Sequence, residues 1–230
     1  MSYCISWDKT AIKEGVAIAI KKFSEDQLHL GILCKDEESS DIIHLSGHFS
    51  LRKSVHLDQY NYVNITQLSN IDHTHMLAYI LSVYDQNQAT IPYGPCDGGG
   101  FDQSGAYSGN VGDGLTCSSF VVTSFESQGF DFIDKSTWPE REDDKNWQEM
   151  IIGDFRREHA DSEESIAHFD KQLRKIGALR YRPHEVAASV TFSDYKKSFE
   201  DIAPISLKIK NEVLGISSVV NQGDEVTSFF

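Results

Sequence analysis

Leu28-His29-Leu30-Gly31-Ile32-Leu33-Cys34 and Asp41-Ile42-Ile43-His44-Leu45-Ser46 are two alternating runs, separated by the polar stretch Lys35-Asp36-Glu37-Glu38-Ser39-Ser40. Alternation with a period of two on either side of a polar break predicts an antiparallel hairpin. Folded about that acidic turn, the hairpin brings His29 and His44 near each other, because cross-strand neighbours stand about 4.5–5.5 Å apart at Cβ. Val16 to Lys22 reads as a strand preceding them.

Downstream, Gly114-Leu115-Thr116-Cys117-Ser118-Ser119-Phe120-Val121 sets a cysteine where a glycine-rich loop gives way to an amphipathic helix. Unpaired N–H groups and the positive end of the helix dipole favour thiolate over thiol there and offer an oxyanion site. A thiolate also needs a base. One imidazole of the hairpin can take the Cys117 proton while the other fixes its tautomer, the arrangement of nucleophile, base and orienting group. Taken singly, a buried cysteine is most often a small hydrophobe and a strand histidine a satisfied polar group. It is the combination of Cys117, His29 and His44 that points to catalysis. His48 and His56, in and after a stretch read as loop (47–52), are weaker candidates.

These residues carry a resemblance. His29-Leu30-Gly31-Ile32, then Ile42-Ile43-His44-Leu45, then Thr116-Cys117-Ser118-Ser119-Phe120-Val121 resembles the permuted branch of the NlpC/P60 papain-like superfamily. That branch includes lecithin:retinol acyltransferase-like proteins and bacterial hydrolases of the same layout, with the histidine strand ahead of the cysteine helix. The run 14–20 resembles the first strand of that sheet, and Ile91-Pro92-Tyr93-Gly94 the segment leading to the cysteine. The likeness spans residues 14–130. Two departures stand out: the loop 97–114 is longer and richer in glycine than the pattern needs, and Ser118 and Ser119 replace the acidic residue often seen near such cysteines.

The resemblance implies an α+β, papain-like fold: an antiparallel sheet packed on the helix that bears the nucleophile. Residues 1–135 would form the catalytic domain and 136–230 a mostly helical extension. It also implies an acyl-enzyme reaction that needs no cofactor and no metal, on a peptide or acyl substrate. An amidase or endopeptidase cleaving peptidoglycan peptides, acting as a delivered effector, ranks first. A thiol acyltransferase or lipid thioesterase ranks second, and a catalytically inactive papain-like scaffold that binds a protein partner third. The long glycine-rich loop runs into Cys117 and is expected to act as a flap over the site.

Composition bounds these readings. With 35 acidic against 21 basic residues and a formal charge of −14, most of the surface repels phosphate backbones, which argues against nucleic acid and anionic membranes as default partners. A local basic patch at Arg180-Tyr181-Arg182 is compatible with that. No run approaches the eighteen or so apolar residues of a membrane span, and the first residues lack the pattern of a signal peptide. The expectation is a cytoplasmic chain, or one exported without a cleavable signal peptide, with no stable membrane insertion. Cys4, Cys34, Cys96 and Cys117 form no Cys-x-x-Cys pair, so neither a zinc ribbon nor a disulfide framework is indicated. Asp72-His73-Thr74-His75 is tempting as a metal cluster, but residues two apart on a helix diverge, and polar residues of a helix start are the better account.

Apolar spacing predicts helices over about 72–85, 117–127 and 163–179, the last with Ile166, Phe169, Leu173 and Ile176 on one face. Trp147, Met150, Ile151 and Phe155 continue at helical spacing, and 182–190 reads as a helix with Pro183 in its first turn. Ile205-Ser206-Leu207-Lys208-Ile209 alternates like a strand, with Val213-Leu214-Gly215-Ile216 as its partner. The end, 222–230, is expected at the surface. No dinucleotide fingerprint, P-loop or serine-hydrolase elbow is present.

Overall fold

The computed structural model describes residues 2–216 apart from 9, 11 and 26. The strands β1 (Ile5–Ser6), β2 (Gly15–Lys22), β3 (Leu28–Lys35), β4 (Ser40–Gly47), β5 (Ser50–Ser54) and β6 (Asn61–Asn64) build one antiparallel sheet in the order β1-β6-β2-β3-β4-β5. The predicted hairpin is the β3–β4 pair, with Ile32 opposite Ile43 and Lys35 opposite Ser40. The described residues also form six helices: α1 (Asn70–Asn87), α2 (Cys117–Glu126), α3 (Glu142–Glu158), α4 (Glu163–Leu173), α5 (Pro183–Ser189) and α6 (Phe199–Leu214). The chain is therefore α+β.

Alternation along the strands divides the core. Val16, Ile18 and Ile20 of β2, Leu30 and Ile32 of β3, and Ile43 and Leu45 of β4 pack with Met76 and Ile80 of α1 and Phe120 and Val121 of α2. Ala17, Ala19, Leu33 and Ile42 point the other way, onto Ile12, Tyr60 and Tyr62. Each fully buried Ile, Leu or Val side chain contributes roughly 1.5–3 kcal/mol, so this one-residue alternation fixes the register of the sheet.

The helices α1 and α2, which pack on the sheet, both start at capping boxes. Ser69 caps α1 and Asp72 reaches back to it, which makes the Asp72–His75 stretch a helix start. His73 and His75 diverge: His73 Nδ1 accepts from the Val16 N–H, and His75 Nε2 meets Gln128 Oε1 at 2.8 Å. Thr116 caps α2, and Ser119 Oγ accepts from the Thr116 N–H at 2.8 Å, filling the place of the longer acidic side chain usual in such a box.

Four expectations are corrected. Residues 50–54 are strand β5, paired along β4, rather than loop. Residues 205–209 and 213–214 lie in α6, where Ile202, Ser206 and Ile209 are buried at helical spacing while Leu207 is exposed. The buried face of α4 is Ser165, His168, Phe169 and Gln172, and Leu173 is exposed. The glycine-rich stretch is not laid over Cys117: none of residues 97–114 lines the cavity there. It folds into a hairpin of β7 (Gly100–Phe101) and β8 (Tyr107–Ser108), tied to α1 by Asn87, whose side chain donates to Gly105 O at 2.7 Å and accepts from the Tyr107 N–H at 2.9 Å. Lys175 Nζ, just past α4, holds its far end at Asp113, 2.7 Å away. The expectation for 222–230 lies outside the described residues.

Candidate active site

His29 and His44 are joined. His29 Nε2 lies 2.8 Å from His44 Nδ1, with ring planes at 86°. Continuing the β3–β4 register sets His44 against Gly31, so the two histidines are diagonal neighbours. Gly31 is what lets them close up. A Cβ at that position would fall 2.8 Å from Ile42 Cγ2 and 3.0 Å from His44 Cβ.

Cys117 opens α2 and is buried. As first-turn residues of the helix, Cys117 and Ser118 have backbone N–H groups without intrahelical partners. The cysteine is carried to the sheet by a close crossing of two segments, where Tyr93 and Leu115 form an isolated parallel bridge. That crossing needs glycine on both sides, because a Cβ on Gly94 would meet Gly114 Cα at 2.6 Å.

Cys117 and His29 line one cavity of about 120 Å³, closed by Leu28, Tyr93, Trp147, Phe155 and Arg180 among others. By parity His29 belongs with Leu33 on the sheet face away from α2, and it reaches the cavity at the beginning of β3. Among the described residues neither imidazole hydrogen-bonds the thiol. The polar groups that act on the sulfur are the Leu30 N–H and Ser118, with the Arg180 guanidinium acting at longer range.

The electrostatics reverse one expectation. Burial pushes the Cys117 thiol above its ordinary value, and the Leu30 N–H, Ser118 and Arg180 offset this only in part. The helix start does not leave a thiolate at rest. The histidines are also neutral: burial, then His44 and Lys21, pull His29 down to about 3, and burial, then Lys21 and Arg52, pull His44 down to about 4. The resting site is thus an uncharged thiol beside an uncharged imidazole pair. With His29 Nε2–H donating to His44 Nδ1, the bare nitrogen of His29 is Nδ1, an acceptor ready for a proton.

The weaker candidates are elsewhere. His48 lies behind Tyr93: its Nδ1 accepts from the Tyr93 N–H at 3.1 Å and its Nε2 meets Ser165 Oγ at 3.2 Å. His168 Nε2 donates to Tyr93 O at 2.8 Å. These two imidazoles brace the backbone of a cavity-wall residue. His56 is exposed and precedes a short 3₁₀ turn. Cys96 packs with Ile152 and Phe169, and all four cysteines are free.

Sequence reasoning missed Trp147, Ile151, Phe155, Arg180 and Tyr181 as site residues. The helical spacing of the first three was legible, but nothing local says that their helix roofs the Cys117 cavity. Arg180 is stacked 3.4 Å above the Trp147 ring and paired with Asp144 at 3.0 Å. A larger cavity of about 990 Å³ lies at the far ends of β2 and β3, beside the start of α1, and contains no cysteine. No group of three or more metal-ligating side chains is assembled among the described residues, and no helix among them is long and apolar enough to cross a membrane. No family model, no curated protein and no solved structure matches the chain.

Proposed function

We propose that the chain is a cysteine hydrolase of the acyl-enzyme class, with Cys117 as nucleophile, His29 as base and His44 as the residue that orients His29. The observation that carries this reading is the shared cavity of Cys117 and His29, together with the 2.8 Å contact of the two imidazoles, which in the tautomer with His29 Nε2–H donating leaves His29 Nδ1 as the free acceptor. As substrate enters, Nδ1 takes the Sγ proton, and sulfur bonds to the carbonyl carbon. The carbonyl π electrons move to oxygen. The Cys117 N–H and the Tyr93 hydroxyl are the donors for that oxyanion. Tyr93 lines the cavity and its hydroxyl has no hydrogen-bond partner among the described residues, while burial holds it firmly protonated. Collapse expels the leaving group with the proton from His29, and water or another nucleophile releases the acyl group. The antiparallel sheet, the helix-start cysteine and the strand order of the two histidines are consistent with a permuted papain-like scaffold.

The wall chemistry bears on the substrate. Phe23, Leu28, Leu45, Ile151, Phe155 and Pro183 line the cavity, and no carboxylate does. This favours an apolar acyl group over a polar peptide, placing thioesterase or acyltransferase chemistry ahead of peptidoglycan amidase. At about 120 Å³ the cavity is below the roughly 300–1,000 Å³ typical of ligand sites, so the acyl group is short.

A second reading, a binding scaffold without catalysis, is favoured by one observation: the thiol is buried and unbonded to either imidazole. The two part on an experiment with p-nitrophenyl butyrate. The hydrolase reading expects turnover that disappears in Cys117→Ser and falls at least a hundredfold in His29→Ala, with an acyl adduct on Cys117 by mass spectrometry. Hydrolysis equal in all three chains, with no adduct, leaves the scaffold.

A further inference from the structure

The Cys117 cavity opens beside a second, outer cleft of about 540 Å³, and the two share Gln27, Leu28, Trp147, Arg180 and Pro183. The charges around that shared wall do not balance. Arg141, Arg180 and Arg182 converge on Asp144, at 2.5, 3.0 and 3.0 Å, and Arg141 also reaches Glu185 at 2.5 Å. All three guanidiniums are largely buried, as are both carboxylates. Three buried cations therefore face two buried anions. The remaining acidic groups are poor compensation: Asp143, 2.6 Å from Arg182, is 70 % exposed, and Glu25 lies on the rim of the outer cleft. Opposite charges in solvent are screened, whereas a buried surplus is not. Lys210 adds another cation to the outer cleft and makes no ion pair among the described residues.

The field of these groups is felt at His184, another lining residue. Burial, then Lys210, Arg182, Arg141 and Arg180, pull its imidazole down to about 3. Arg180 is the one cation on both cavities. Among the described residues the Arg180 side chain donates only through Nη1, to Asp144, and the group lies over the Trp147 ring. The remaining N–H groups, fixed by that stacking, suit the two oxygens of a carboxylate or phosphate.

We propose that Arg180 seats a permanent anionic group of the substrate, a carboxylate or a phosphate, a few bonds from the carbonyl that Cys117 attacks. The substrate is then an acyl compound with a short apolar part in the inner cavity and its anion at the junction with the outer cleft. This deepens the proposed function and rests on Cys117 being the reactive thiol. It is a local reversal of sign in a chain of formal charge −14.

The test uses two reagents of the same size and leaving group, iodoacetate and iodoacetamide. Each forms a sulfur–carbon bond at Cys117 and releases iodide, and only the first is anionic. Rates are mapped to Cys117 by mass spectrometry on the full chain, folded and in denaturant, and the iodoacetate-to-iodoacetamide ratio is taken. Any effect on thiol ionisation cancels in that ratio. The seat predicts a ratio at least fivefold higher in the folded chain than in the unfolded one, although the overall charge repels iodoacetate. Arg180→Gln should bring it down to the unfolded value and Arg180→Lys should retain part. Competition by inorganic phosphate or by succinate then tells which anion the site prefers. A folded ratio equal to or below the unfolded one overturns the anion seat even if Arg180→Gln cannot be folded. Failure of both reagents to label Cys117 in the folded chain instead overturns the nucleophile reading on which it rests.

Discussion

His29 Nε2 and His44 Nδ1 share one hydrogen bond of 2.8 Å between nearly perpendicular rings. Only one proton fits between them, so each ring determines the tautomer of the other. Replacing His44 by Ala frees His29 Nε2 and lets the base take its unproductive tautomer, and turnover of a short acyl ester should fall about 10²-fold. His44→Asn, which keeps a polar partner, should recover part of the loss, read as kcat with KM little changed.

The pH dependence of the thiol follows from its burial. Because the Cys117 thiol is raised above its ordinary value, its alkylation by iodoacetamide should still be climbing above pH 9, with no plateau near neutrality. On the acid side His29 stays unprotonated down to about 3, so turnover should persist at pH 5, where an unperturbed histidine base would be mostly protonated. A bell-shaped profile with an acid limb near pH 6.5 contradicts this site.

Stability should fall in acid for the same reason. His29 and His48 are held near 3, and His44 near 4, when folded. Their unfolded values are near 6.5, so between about pH 6.5 and 3 the unfolded chain binds more protons and gains on the folded one. The contribution is complete above pH 6.5 and lost progressively below it. Thermal unfolding should show Tm dropping from pH 7 to pH 5. His48→Gln should flatten that slope while costing about 1–3 kcal/mol at pH 7, through loss of the bonds to Tyr93 and Ser165.

Gly31→Ala separates packing from chemistry. Its methyl group would meet Ile42 Cγ2 at 2.8 Å and His44 Cβ and Ile43 O at 3.0 Å. Overpacking between paired strands costs about 1–3 kcal/mol, measurable by urea unfolding. It should also push His44 off His29, so turnover should drop beyond what the lost stability explains.

Much of this site could be read along the chain, and the reasons differ by element. The hairpin was legible because alternation in residues 28–34 and 41–46 is a local signal, and Cys117 because a glycine-rich loop gives way there to an amphipathic helix. The last helix was not. Pro204 lies inside it and removes a hydrogen bond, which argues against helix, while residues 205, 207 and 209 mimic a strand face. The buried stripe of α4 escaped because it is largely polar, with Ser165, His168 and Gln172 satisfied by partners far away in sequence. The charged roof of the cavity escaped for a similar reason. Arg141, Asp144, Arg180 and Glu185 look like ordinary surface charges until the fold collects them.

That roof changes what counts as the smallest working unit. Trp147, Ile151, Phe155, Arg180, Tyr181 and Pro183 all come from beyond residue 135, while the thiol and both histidines come from before it. A fragment ending there would keep the proposed nucleophile and base, yet lose the part of the wall that those six residues build. The arginine and carboxylate knot that ties α3 to the start of α5 is therefore a clasp. Trp147, Ile151 and Phe155 ride on one side of that clasp and Pro183 on the other.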